Sequence, residues 1–125
     1  MVIILIEKKM RLGNLFVFYG QLLTAKQQDI LELYCHNDLS LGEISEDLEI
    51  SRQAVYDTIR RGEKLLESYE EKLGLMVRFH ESEKRMKNLV SEIDKLKSII
   101  LEDGAQELLL KEIEEIKERA AAVAE

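Results

Sequence analysis

The chain has 125 residues, with 25 acidic side chains against 18 basic ones, and it contains no proline. That length suits one domain with an extension and excludes a sizeable enzyme. A hydrophobic share of 46% is too apolar for a disordered chain, and the absence of proline argues against a β-sandwich, so the expected fold class is all-α. Cys35 is the single cysteine and His36 and His80 are the only histidines, so neither an internal disulfide nor a zinc site built from Cys and His alone can form. No cofactor is expected, and the composition suits a reducing cytoplasm. The apolar run Met1 to Ile6 stops at Glu7-Lys8-Lys9, too short to span a bilayer and with its charges on the wrong side for a signal peptide.

The first predicted helix covers about residues 5 to 23, where Leu5, Leu12, Leu15, Phe16, Tyr19, Leu22 and Leu23 recur on one face. Thr24 stands three residues before Gln27, a capping box that should open a second helix. That helix presents Ile30, Leu33 and Tyr34 inward and gives way at Asn37-Asp38. Ser40 and Glu43 form the next capping box, ahead of a two-turn helix whose apolar positions are Leu41, Ile44 and Leu48. Ser51 then caps a long helix from Arg52 to Leu73, with Val55, Ile59, Leu66, Tyr69 and Leu73 on its buried side and Gly74 as its left-handed stop.

Beyond Gly74, Phe79, Ser82, Met86, Leu89, Ile93, Leu96 and Ile100 alternate three and four apart, a heptad seam. A second seam, Leu109, Ile113, Ile116, Ala120 and Val123, is out of phase with the first, and the break falls at Asp103-Gly104. The pattern predicts two helices, about 75 to 101 and 105 to 124, folded back as an antiparallel hairpin; one long frayed helix would put charges on the seam. Residues 1–74 thus read as a helix-turn-helix domain and residues 75–125 as a C-terminal helical hairpin. Val90, Ile99, Leu101, Leu108 and Leu110 fall off the seams and need a further surface, which predicts a homodimer unless the helix-turn-helix core supplies it.

A short helix capped by Ser40, a link through Glu49-Ile50 and a second helix capped by Ser51 make the helix-turn-helix pattern. Its small apolar core leaves Arg52, Gln53, Tyr56, Asp57 and Arg60 on the outer face of the second helix. Arg52 and Gln53 sit where a recognition helix meets base edges, since arginine can read guanine and glutamine adenine. Tyr56 could stack on a base or a partner, and Arg60, Arg61 and Lys64 would reach phosphates or a partner. A capped helix pair is also what any helical corner looks like. Asp57 would repel phosphate, and neither half of the chain is basic, with nine basic against thirteen acidic residues in 1–74 and nine against twelve in 75–125.

The stretches Phe16 to Thr24, Ser40 to Ser45 and Ser51 to Arg61 resemble the YlxM family of small bacterial helix-turn-helix proteins, over about residues 5 to 75. The resemblance implies an all-α fold similar to the fourth region of bacterial sigma factors. It also implies a regulatory or accessory role in the signal recognition particle pathway, because the family's genes often lie beside those of that particle.

Adjacent Cys35 and His36 point about 100° apart on a helix and read as a half-buried thiol beside a surface imidazole, not a catalytic pair. Glu70-Glu71 and Glu114-Glu115 read as solvated faces, and the six glycines show no nucleotide-binding spacing. No enzymatic activity, metal, membrane insertion or small-molecule substrate is expected. Two functions remain: a regulator that reads double-stranded DNA with Arg52, Gln53, Tyr56 and Arg60, or an interaction protein that holds a protein or RNA component of the targeting machinery.

Overall fold

A computed structural model describes residues 2–102 and 106–124, with side chains as far as Ala122. Among these residues there are only helices and their connections: α1 (Val2–Tyr19), a single 3-10 turn (Gly20–Leu22), α2 (Ala25–Cys35), α3 (Leu41–Leu48), α4 (Arg52–Leu73), α5 (Leu75–Ile100) and α6 (Gln106–Ala124). The chain divides into two compact units, Met1–Met76 and Val77–Glu125.

In the first unit the helix boundaries follow from local hydrogen bonding. The hydroxyls of Thr24 and Ser40 accept from the amides of Gln27 and Glu43, and the side chains of Gln27 and Glu43 return to the cap amides, so both expected capping boxes form. The Ser51 hydroxyl accepts from the amide of Ala54 and starts α4, which ends at Gly74 with φ 63°. The first helix begins three residues earlier than expected and stops at Tyr19. Its last expected turn is the tighter 3-10 segment, which delivers Leu23 to the core but rotates Leu22 out to solvent.

α4 is the hub, packing against α1, α2 and α3. Leu12, Leu15, Phe16 and Tyr19 of α1, Ile30 and Leu31 of α2, Ile44 of α3 and Val55, Ile59 and Leu66 of α4 form one buried cluster. Close approach of α2 to α4 depends on Gly62, where a Cβ would lie 2.9 Å from Leu31 Cδ1. Leu5, Leu48 and Leu73, expected on the apolar faces, are exposed, because each lies near a helix end, beyond the neighbours that cover the middle of the face.

Glu70 departs furthest from its sequence pattern. Read as part of a solvated acidic face, it is 7% exposed, and its Oε1 accepts from the Tyr19 hydroxyl at 2.5 Å and from the amide of Met76 at 2.9 Å. The Tyr19 oxygen in turn accepts from the amide of Leu75 at 2.9 Å. Two orphan donors of the first turn of α5 are thereby satisfied by side chains of α1 and α4, and a carboxylate sits where the helix dipole favours it.

In the second unit α5 and α6 are bridged by Arg119 and Glu92. Residues 27 apart on two helices joined by a short connection can meet only if the chain doubles back, so the helices run antiparallel. The expected turn at Asp103-Gly104, and the side chain of Val123, lie outside the described residues. The inward stripe of α5 is only partly the expected heptad seam: Leu89 and Leu96 of that seam are half-buried, but with Glu92 and Ile99, while Phe79, Ser82, Met86, Ile93 and Ile100 are exposed. On α6, Leu109, Ile113 and Ile116 are half-buried as expected, but Ala120 is exposed. α5 carries apolar residues over two adjacent faces, and a repeat marks how wide such a face is without saying which edge meets the neighbour. Of the five residues expected off the seams, Val90, Leu101, Leu108 and Leu110 are exposed and Ile99 is not.

Candidate nucleic-acid interface

The link between α3 and α4 is three residues long. Glu49 caps α3 in the left-handed region, φ 56° and ψ 42°, and the amide of Ile50 donates to the Ser45 carbonyl at 3.1 Å. A non-glycine residue there costs about 1 to 2 kcal/mol, so the turn is held by the helices on either side and not by its own preference. Ile44, Val55 and Ile59 are buried in the angle between α3 and α4, and Ile50 packs against them from the link.

All six residues singled out from the sequence lie on α4 and are exposed: Arg52, Gln53, Tyr56, Arg60, Arg61 and Lys64. At about 100° per residue, Gln53, Arg60 and Lys64 lie along the middle of the exposed face, with Arg52 and Tyr56 to one side and Arg61 to the other. Much of this face is engaged internally. Gln53 Nε2 donates to Asp57 Oδ1 at 3.0 Å, and Arg60 Nη1 donates to the Tyr56 hydroxyl at 3.0 Å with its guanidinium 5.7 Å from the ring centroid. That hydrogen bond raises the Arg60 pKa further above an already high value.

Gly42, which nothing in the pattern singled out, belongs to the same surface. A Cβ at this position would lie 3.0 Å from Arg52 Nη2 and 3.2 Å from its Cζ, so the guanidinium of Arg52 rests against the first turn of α3. A side chain at this position would push the flexible guanidinium aside by a few tenths of an ångström. The contact joins the two helices of the motif, and sequence spacing offers no signal for it.

Beside this face a groove of about 690 Å³ runs between α1 and α4. Tyr56, Arg60 and Lys64 share it with the apolar Leu5, Leu12, Leu41 and Ile59, and with Glu63 and Glu67. Arg11 grips Glu67 with two parallel hydrogen bonds of 2.7 and 2.8 Å, which hold the Glu67 carboxyl below the ordinary carboxylate range.

Cys35 is half-buried, and desolvation pushes its thiol up to about 11, far from a nucleophile's range. His36 lies 3.0 Å from Glu32 and edge-on to Phe16. Among the described residues no group of three or more His, Cys, Asp or Glu is placed to hold a metal ion, and no helix is long and apolar enough to cross a membrane.

Two capped helices meeting across a short link, the second presenting an exposed polar face, define a helix-turn-helix protein. The chain belongs to the UPF0122 family, described as "Putative helix-turn-helix protein, YlxM / p13 like", whose model matches residues 6–107. The match runs on through α5, past the stretch of about 5 to 75 that carries the resemblance to the YlxM family. UPF0122 proteins of Bacillus cereus (strain AH187), Bacillus anthracis (strain A0248) and Bacillus thuringiensis subsp. konkukian (strain 97-27) are each 50% identical over 91 residues, covering 70% of this chain and 83% of the relative.

Proposed function

We propose that this chain is a regulatory protein that binds double-stranded DNA through α3 and α4 and acts in the signal recognition particle targeting pathway of the bacterial cytoplasm. The carrying observation is the Ser51-capped start of α4, with Arg52, Gln53, Tyr56 and Arg60 exposed within its first three turns, the end of a recognition helix that meets base edges. The internal pairs are compatible with this reading, because Gln53–Asp57 and Tyr56–Arg60 are exposed contacts that a base edge or phosphate could replace at little cost. The place in the targeting pathway rests on the resemblance to the YlxM family and on no residue.

Selection of duplexes from a random library, followed by titration at several salt concentrations, tests it. The four cations Arg52, Arg60, Arg61 and Lys64 allow a slope of log affinity against log salt of at most about −4 per chain. Arg52→Ala should relax preference at one base position and lose roughly 1 to 3 kcal/mol, whereas Lys64→Ala should weaken all sequences alike. Unchanged DNA affinity in a folded Arg52, Gln53, Tyr56, Arg60 quadruple alanine variant overturns the assignment of this face.

The groove supports a second reading. Apolar residues flanked by charges of both signs, on a chain of net charge −7, suit a protein or RNA component of the targeting machinery better than a bare phosphate backbone does. Capture of one targeting component that survives nuclease treatment of the lysate, with no enrichment of any duplex in the selection, would favour that reading.

A further inference from the structure

The second unit is short of a core. Among the described residues from Val77 to Ala122 none is buried, although the segment carries two long helices. Two adjacent faces of α5 are apolar. One, through Leu89, Leu96 and Ile99, is half-buried. The other remains open: Met86 is 54% exposed, Val90 53%, Ile93 44% and Ile100 62%, and Phe79, edge-on to His80, lies on the same line. At about 100° per residue these five residues fall within an arc of about 80°, roughly 100° round the helix from the half-buried stripe. Two apolar faces at that angle are the geometry of a helix in a four-helix bundle.

The open stripe reads the same in both directions. Residues 79, 86, 90, 93 and 100 are symmetric, to within a residue, about Val90. The charges within and beside the stripe obey the same centre, again to within a residue, with the sign reversed, Glu83 against Lys97 and Lys87 against Asp94. Each of these four is exposed, and Glu83 has only a 3.5 Å approach from His80 beside it.

We propose that the open stripe of α5 is the interface for a second copy of this chain, the two α5 helices packing antiparallel about a two-fold axis at Val90. Phe79 then lies beside Ile100 of the partner subunit, Met86 beside Ile93 of the partner subunit, and Glu83 and Lys87 beside Lys97 of the partner subunit and Asp94 of the partner subunit. Apolar residues seven apart read alike in both directions on any packed helix, so the charges choose the occupant: Glu83 and Lys87 meet opposite charge across a two-fold axis near Val90, which a second copy of the chain supplies. The segment from 79 to 100 gives about 33 Å of helix on helix, some three heptads. This inference is independent of the DNA reading of α4.

Sedimentation equilibrium of the full chain at about 10 to 100 μM should give twice the 14.5 kDa chain mass. Val90→Lys places two like charges on the axis and should weaken the dimer at least about tenfold. Glu83→Lys and Lys97→Glu should each weaken it roughly threefold to thirtyfold, and the two together should return it to within about threefold of the parent. Because an interface variant can fail to fold, a second measurement uses a Cys35→Ala background. Val90→Cys should form an inter-chain disulfide on oxidation, while Ser91→Cys, on the far side of the helix, should not. A monomer at these concentrations overturns the proposal. So does a dimer that survives Val90→Lys, or a charge reversal with no rescue.

Discussion

Tyr19→Phe tests how the first unit is tied to the start of α5. The substitution removes one oxygen and leaves the ring, which is 1% exposed and 6.1 Å from the ring of Tyr69. Two hydrogen bonds go with it: the one donated to Glu70 Oε1 at 2.5 Å and the one accepted from the amide of Leu75 at 2.9 Å. A hydrogen bond to a buried carboxylate is worth about 1.5 to 3 kcal/mol. The Leu75 amide is only partly buried, so water recovers most of the second, and the expected loss is about 2 kcal/mol. For a unit of this size that lowers the melting temperature by roughly 8 to 16 °C. Tyr56→Phe is the matched control, since its hydroxyl also has one charged partner, Arg60, but in solvent, where the loss should stay under about 0.5 kcal/mol. Both variants would be followed by circular dichroism during heating and by urea titration. Equal stability of the two variants would refute the reasoning, because the buried hydroxyl should cost several times what the exposed one does.

Glu49→Gly should stabilise the chain by about 0.5 to 1 kcal/mol, the relief of left-handed strain less the extra freedom glycine gives the unfolded chain; a urea midpoint that falls instead would show that the turn is not strained. A double-mutant cycle on Arg11→Ala and Glu67→Ala should give a coupling of about 0.5 to 1 kcal/mol near neutral pH. Because Arg11 depresses the Glu67 pKa, this stability is complete above the unfolded carboxylate's value of about 4.3 and is lost as pH falls through the folded one. The coupling should therefore fade in acid, and a pH-independent coupling would assign it to packing.

The extent of each helix in the first unit was legible where the deciding interactions are local. The hydroxyls of Thr24, Ser40 and Ser51 and the left-handed Gly74 act within four residues of themselves, and the structure has α2, α3 and α4 starting and stopping where those residues dictate. The helix-turn-helix and the exposure of Arg52, Gln53, Tyr56, Arg60, Arg61 and Lys64 follow from the same local rules with the addition of periodicity. Contacts between residues distant in sequence decided the rest. Glu70 is buried because Tyr19, 51 residues earlier, and the start of α5 converge on it, and no window of sequence contains all three. Arg52 lies over Gly42 because two helices cross there. Periodicity showed that α5 is apolar over a broad face, but which edge of that face turns toward α6 depends on how the two helices pack against each other, and that rotation is a property of their contact alone.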